Sequence, residues 1–366
     1  TNYLKRKGYS DEHIGKAIFE LQQVATNFSD SLYTTNKNVY SKLRNGVKVK
    51  VSAGKNYDTV KLINWQDPED NDFYIAEEVT LKGNKTKRPD IVLYINGIAI
   101  AVLELKRGIV DIGEGIRQNI TNMQDQFIKP FFATNQILFA GNDSEGLRYG
   151  TISSEEKFYL SWKEDVEDNS RLLLDKYLIK MCSKERIIEL IYDFIVFETG
   201  RKKLPRAHQY FGVKEAQKHV NRHEGGIIWH TQGSGKSISM VYLAKWILEN
   251  NPKARVAIVT DRDELDKQIE DVFTDSGEII FRTKSGRDLM TNLGQPSPRL
   301  LCSLVHKFGA KDVANFEKYL TELSENPVQV SGELFVFIDE CHRTQSGKLH
   351  KTMKAMLPNA VFMGFT

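Results

Sequence analysis

Cysteine is scarce in this chain: Cys182, Cys302 and Cys341 are its only three in 366 residues, odd in number and far apart. That spacing suits neither a disulfide framework nor a zinc site, so the thiols are expected to be reduced. No apolar run reaches membrane-spanning length, so no bilayer-crossing helix and no membrane partner are expected. The opening residues, Thr1 to Lys7, are polar and basic with no apolar segment behind them, and a cytoplasmic location is the expectation. Neither sign of charge is in excess: 51 basic and 48 acidic residues leave a net charge of +3, too little to imply nucleic-acid binding by itself. Two local runs, Lys82-Gly-Asn-Lys85-Thr-Lys87-Arg88 and Arg201-Lys202-Lys203, are dense enough to meet phosphates, although solvated loops are the plainer reading. Internal repeats and low-complexity stretches are missing too.

What is present is the mix of a globular protein, long enough for two domains that each bury a core. Ser10 to Phe28 reads as a helix capped by Ser10 or Asp11, with Ile14, Ile18, Leu21, Val24 and Ala25 at helical spacing. The texture then turns to strands at 47–51, 74–81, 91–95 and 98–103, the last two flanking Asn96-Gly97, a strong hairpin signal. A helix over 113–123 and a strand over 137–140 complete an α+β domain with a small mixed sheet. Ile187, Ile188, Ile191, Phe194 and Ile195 mark an amphipathic helix over 184–198, and the boundary is placed near residue 182, giving domains 1–182 and 183–366. Beyond it, short apolar strands at 226–229, 255–260, 300–304, 334–338 and 360–365 alternate with helical patterns, which implies a parallel, doubly wound α/β sheet.

The first of those strands runs into His230-Thr231-Gln232-Gly233-Ser234-Gly235-Lys236-Ser237 and then into a helix. Strand, glycine loop and helix in that order form a phosphate cradle, because loop N–H groups and the helix N-terminus all face an anion. Lys236 is expected to reach the outer phosphates of ATP, and Ser237 to ligate Mg²⁺. About 100 residues on, the strand 334–338 ends in Asp339-Glu340-Cys341-His342, at the sheet edge where ligands bind. Asp339 would hold Mg²⁺ through water and Glu340 would orient the attacking water.

A second set of acidic residues lies in the first domain. Asp90 opens one strand of the hairpin, and Glu104-Leu105-Lys106 closes the other. Two carboxylates and a lysine are the parts needed for phosphodiester hydrolysis, with Asp90 and Glu104 as metal ligands and Lys106 positioning or deprotonating water. Glu104 and Lys106, two apart on a strand, share a face. A tight two-residue turn pairs Asp90 with Leu103 and throws the two carboxylates onto opposite faces, so a bulge is expected, placed at Gly97 in a three-residue connection. Glu20 on the first helix is expected to face solvent.

On these residues the chain resembles known families. His230 to Ser237 with Asp339 to His342 resembles a superfamily 2 helicase. Arg206-Ala-His-Gln209 looks like its adenine-reading motif, with Gln209 on the base; Thr260-Asp261-Arg262 looks like its DNA-tracking segment, and Gly364-Phe365-Thr366 like the start of its third motif. Arg88-Pro89-Asp90 with Glu104-Leu105-Lys106 resembles the PD-(D/E)xK nucleases, specifically the nuclease domain that type I restriction enzymes place ahead of such a motor in their R subunit. The resemblance implies a restriction-endonuclease-like domain followed by the first RecA-like lobe, with the second lobe beyond the last residue. It implies ATP and Mg²⁺ as cofactors, double-stranded DNA as substrate, and methyltransferase and specificity subunits as partners. RecB-like members carry Gln-x-x-x-Tyr on the next helix; here Gln118 stands in place, and Asn122 stands where tyrosine would. The expectation is an ATP-dependent DNA translocase and endonuclease. The alternatives are a type III restriction subunit, which would place the nuclease after the motor, a repair helicase-nuclease, and a DNA-tethering ATP switch with an inert nuclease remnant, against which the intact Asp90, Glu104, Lys106, Lys236 and Asp339 argue.

Overall fold

A computed structural model describes all residues except 28, 52–55, 165–169, 199, 232, 261–272, 274–279, 305–312, 326–327 and 340–343. Contacts divide the chain into two compact units, Thr1–Ala207 and His208–Thr366. The division falls later than residue 182 because the segment that follows is tied to the first unit. Tyr40 Oη donates to the Ile191 carbonyl at 3.0 Å, Arg44 Nε donates to that of Tyr192 at 3.1 Å, and the Trp65 and Tyr192 rings lie 5.3 Å apart.

In the first unit, helices α1 (Asn2–Arg6), α2 (Asp11–Ala25) and α3 (Leu32–Asn45) precede a ribbon of β1 (Val47–Val49) and β2 (Asp58–Val60). Ser10 caps α2 by accepting from the His13 N–H, as its position ahead of the apolar pattern implies. Helix α3, capped in the same way by Ser31, is unanticipated. The main sheet follows: β3 (Phe73–Glu77), β4 (Ile91–Ile95), β5 (Ile98–Leu105), β6 (Ile137–Asn142), β7 (Gly146–Gly150) and β8 (Leu160–Ser161), in that spatial order. Only β5 and β6 run parallel, which makes the sheet mixed, as expected. Helix α4 (Gly113–Asn122) covers the face bearing Val92, Val102 and Leu138, and Ile112, Ile116 and Phe132 complete that core. Each such side chain contributes on the order of 1.5–3 kcal/mol on burial. Beyond α5 (Leu173–Met181), the helix expected over 184–198 stops early: α6 is Lys184–Asp193, and the β-branched and aromatic residues after it form β9 (Val196–Glu198), paired with β10 (Arg201–Lys203).

The second unit is a six-stranded sheet, parallel throughout, with helices between its strands. It runs α7 (Ala207–Asn221), β11 (Gly226–Ile228), α8 (Lys236–Asn250), β12 (Ala254–Thr260), β13 (Ile280–Thr283), α9 (Gly286–Leu293), β14 (Leu300–Leu304), α10 (Val313–Glu325), β15 (Glu333–Asp339), α11 (Thr344–Met356) and β16 (Val361–Phe365). The spatial order is β11-β16-β15-β12-β14-β13. Strands β12 and β15, buried almost throughout, hold the centre. The strands read from the sequence are all present; β13, a half-buried edge strand interrupted by Arg282, is the addition.

Candidate functional sites

Hairpin β4–β5 solves the problem of the opposed carboxylates, but not at the turn. Asn96 and Gly97 form a two-residue connection, both at positive φ (53° and 84°), and Ile95 pairs directly with Ile98. The expected three-residue turn is therefore corrected: this dipeptide suits the tighter one, whose twist matches the flanking strands. The irregularity sits further along. Tyr94 pairs with Ala99 but Leu93 with Ala101, so Ile100 is an extra residue on β5. Ile100 is wholly buried, and its carbonyl is not wasted, accepting from Gln136 N at 2.6 Å. The shifted register pairs Ile91 with Leu103, and its next step sets Asp90 opposite Glu104, where cross-strand neighbours share a face.

Around that pair every predicted residue converges. Asp90 Oδ2 accepts from the Leu105 N–H at 2.6 Å. Glu104 is 0% exposed, with its Oε2 accepting from Gln118 Nε2 at 2.6 Å and its Oε1 from Asn122 Nδ2 at 3.3 Å. Lys106 Nζ donates to Gln118 Oε1 at 2.6 Å, so the Gln118 amide joins lysine to carboxylate. Gln118 and Asn122, four apart on α4, reach the same spot. The helix can lie this close because Gly115 faces the sheet: a Cβ there would stand 3.2 Å from Ala140 Cβ and 3.3 Å from the Glu104 carbonyl. Burial, then the charge of Asp90, push the Glu104 carboxyl up to about 8; Lys106 opposes, a hydrogen bond to Asp90 adds to the rise, and Lys87 weakly opposes. Two carboxylates held together at that cost fit a divalent cation, whose charge would relieve both burial and repulsion. Among the described residues no third His, Cys, Asp or Glu joins them, which suits an ion that keeps much of its water, as Mg²⁺ does. Asn122 is the residue that sequence reasoning left without a role. Its place four residues after Gln118 was the available signal.

The glycine loop between β11 and α8 is built as the sequence implies. Gly233 and Gly235 take positive φ (76° and 86°), and the Ser234 N–H bonds to the Thr231 carbonyl at 3.2 Å. Gly235 caps α8 from the left-handed region, which places Lys236 and Ser237 in the first turn, Lys236 buried and Ser237 half-buried. Gln209, expected on the adenine, lies beneath the loop: its Nε2 donates to the Ser234 and Gly235 carbonyls at 3.0 and 3.1 Å, while His208 Nε2 stands 3.0 Å from the same Ser234 oxygen. The positive φ of Gly235 favours glycine, and a Cβ there would come within 2.3 Å of Gln209 Nε2, so that Gln209 would have to leave its place under the loop. Burial, His208 and Lys236 together hold His230 below its usual pKa.

Asp339 ends β15 and is buried, accepting from the Thr260 hydroxyl at 3.0 Å. Thr260, read as part of a DNA-tracking segment, thus contacts the acidic residue instead. The neighbouring strand links loop and carboxylate, since Phe365 pairs with both Ile228 and Asp339. Two strand spacings, about 10 Å, separate the outer pair. Thr366 continues the link: its N–H donates to Ile228 O at 3.1 Å, and its carbonyl accepts from His230 N at 2.8 Å. Gln232, Glu340, Asp261, Arg262, Cys341 and His342 lie outside the described residues.

Other expectations sort by burial. Glu20 is exposed and faces Lys42 at 3.5 Å, away from any site. The run Arg201-Lys202-Lys203 is not a phosphate surface, because Lys202 is only 5% exposed, bonded through Nζ to Asn36 Oδ1 at 2.9 Å and Gln136 Oε1 at 2.6 Å. Burial holds its amine well below the usual value. Lys203 pairs with Glu198 at 2.6 Å. Among the described residues no helix is long and apolar enough to cross a membrane.

Residues 2–157 match the family model described as type I restriction enzyme R protein N terminus, and residues 208–366 match SWI2/SNF2 ATPase. Among curated proteins, the chain is 30% identical over 379 residues to the type I restriction enzyme HindI endonuclease subunit of Haemophilus influenzae, covering 92% of this chain and 35% of that one. It is 28% identical to the putative type I restriction enzyme MjaIXP endonuclease subunit of Methanocaldococcus jannaschii, over 89% of this chain and 34% of the relative. The chain thus spans about a third of the length of these relatives. Among solved structures, the UvsW helicase from bacteriophage T4 aligns at 15% identity and a TM-score of 0.33 over 50% of this chain and 59% of that one, too loose a likeness to add weight.

Proposed function

We propose, because residues 2–157 match the model of the type I restriction enzyme R protein N terminus and residues 208–366 that of the SWI2/SNF2 ATPases, that this chain is the nuclease and ATP-binding part of a type I restriction endonuclease subunit. Such a subunit moves duplex DNA with ATP and cuts it, in company with methyltransferase and specificity subunits that supply recognition. The observation that carries the nuclease assignment is the one-residue register shift at Ile100, which lays Asp90 beside Glu104 under the amides of Gln118 and Asn122. A strand end with no function would have no use for a buried, repelling carboxylate pair.

In this reading Asp90 and Glu104 hold Mg²⁺, which when bound supplies a charge that polarises the scissile phosphate. Lys106, steered by Gln118, orients the attacking water and takes up or passes on its proton. Gln118 and Asn122 keep the Glu104 oxygens turned towards the ion. In the second unit the Gly233–Ser237 N–H groups and Lys236 cradle the ATP phosphates, Ser237 and Asp339 face Mg²⁺, and Glu340 directs hydrolytic water. Gln209 holds the loop open for phosphate by tying down its carbonyls.

The test is nicking of supercoiled DNA with Mg²⁺ and ATP by the complete subunit. Asp90→Asn and Glu104→Gln are each expected to abolish cleavage while ATP hydrolysis continues. Cleavage surviving in either variant would move the active site elsewhere.

A further inference from the structure

The basic run Lys82–Arg88 fills the connection between β3 and β4, immediately ahead of Asp90. It is not a loose loop. Leu81 and Lys87 form an isolated antiparallel bridge, with N–H to carbonyl distances of 2.9 and 3.0 Å in the two directions. Its tip is pinned to the segment after α4: Asn84 N donates to the Phe127 carbonyl at 3.2 Å, and Asn84 Nδ2 donates to that of Asp125 at 2.7 Å. Gly83 presses so close that a Cβ would stand 2.2 Å from the Phe127 oxygen. Two ammonium groups then meet one aromatic ring, with Lys87 Nζ 4.4 Å and Lys85 Nζ 5.5 Å from the Phe127 ring centroid.

Among the described residues none of Lys82, Lys85 and Lys87 makes an ion pair, and Arg88 has only the exposed Glu78 at 3.4 Å. Other exposed lysines of the unit do find carboxylates, as Lys5 does in Asp11, Lys16 in Glu12 and Lys157 in Glu155. Holding like charges together on one ring costs repulsion that an arriving anion would remove. The hairpin also lies within electrostatic reach of the carboxylate pair, since Lys87 acts on Glu104.

We propose that the Lys82–Arg88 hairpin, braced on Phe127, is a docking ridge for the sugar-phosphate backbone of duplex DNA, setting the scissile phosphate before Asp90 and Glu104. The proposal rests on the nuclease reading for its choice of nucleic acid. A braced hairpin loses less entropy than a free basic tail when it meets phosphates, and so serves to position as well as to attract.

The experiment is fluorescence anisotropy of a labelled DNA duplex with this chain, in EDTA and without nucleotide, across a salt series. Each phosphate contact removed lowers the steepness of log affinity against log salt by about 0.9. Changing Lys82, Lys85 and Lys87 together to Gln is expected to reduce that slope by roughly 2 to 3 and to weaken low-salt binding at least tenfold. Changing the same three to Arg restores both. An unchanged slope in the Gln variant overturns the proposal, and so does an equal fall when Lys5, Lys16 and Lys157 are neutralised instead, which would make the effect one of net charge. Melting curves establish that the Gln variant is folded, and the Arg variant keeps the test decisive if it is not. Binding is read without cleavage, so nicking that persists in Asp90→Asn would sink the nuclease reading and leave this result standing.

Discussion

Replacing Glu104 by Gln keeps the shape of the side chain and removes the one carboxylate that burial and Asp90 hold up at about 8. An unfolded glutamate titrates near 4.5, so between the two values the folded state keeps a proton that the unfolded chain has released. Stability from this group is complete below pH 4.5 and drains away as the pH rises to about 8. At about 1.4 kcal/mol per pH unit the whole loss is on the order of 5 kcal/mol, with about 3 kcal/mol gone by pH 7. Glu104 is fully enclosed, so solvent screening does little to reduce it. Glu104→Gln is therefore expected to stabilise the metal-free first unit at pH 8, by up to about ten degrees in melting temperature, and to flatten its dependence on pH. The variant's amide can donate to Asp90 and accept from Gln118 or Asn122. Hydrogen exchange of the β4 and β5 amides reads this unit without interference from the other. Mg²⁺ or Mn²⁺ should recover stability in the wild type at pH 8, since only the ionised pair binds metal, and do little in the variant. Parallel pH profiles for the two proteins would refute both the buried charge and the metal site built on it.

Asn122→Ala should slow DNA cleavage at least tenfold and cost about 1–3 kcal/mol, because Glu104 Oε1 loses its amide donor in a dry site; cleavage kinetics and thermal melts check the two effects separately. Lys236→Ala should weaken ATP binding by ten- to a hundredfold, the worth of a charged hydrogen bond, and an unchanged nucleotide titration would sink the phosphate cradle. Gly235→Ala should be at least as damaging, since it forces both a positive φ and a clash with Gln209, and Gln209→Ala in the same protein should recover part of the binding.

Much of this was legible from spacing alone. The parallel sheet of the second unit announced itself through short apolar runs between helices, and the phosphate loop through a glycine pattern that only a strand-to-helix turn accommodates. The carboxylate site was legible as a contradiction: the turn chemistry of Asn96-Gly97 and the shared face of Asp90 and Glu104 could not both hold in a regular ladder. The need for a bulge followed, but its place did not. Gly97 carries a local signal, while the carbonyl of the extra residue Ile100 is taken by Gln136, far along the chain, and tertiary partners leave no local mark. The same blindness explains the Arg201–Lys203 run. Charge density is visible in a sequence; the Asn36 and Gln136 oxygens that bury Lys202 are not. The boundary at residue 182 slipped for a related reason, as Ile187, Ile188 and Ile191 declare an apolar face without saying which unit it covers.

The extra residue on β5 also imposes a rule of parity on this stretch of chain. Faces of a strand alternate, so a register gained by one residue can be lost by one. Removing Ile100 itself would return a regular ladder that still sets Asp90 beside Glu104, whereas removing another residue of this stretch while the bulge persists would leave a hairpin of good composition with its two acids back to back. Length and bulge must therefore change together here. A protein can preserve Asp90, Glu104 and Lys106 letter for letter and still lose the site by one residue gained or dropped in the strand between them.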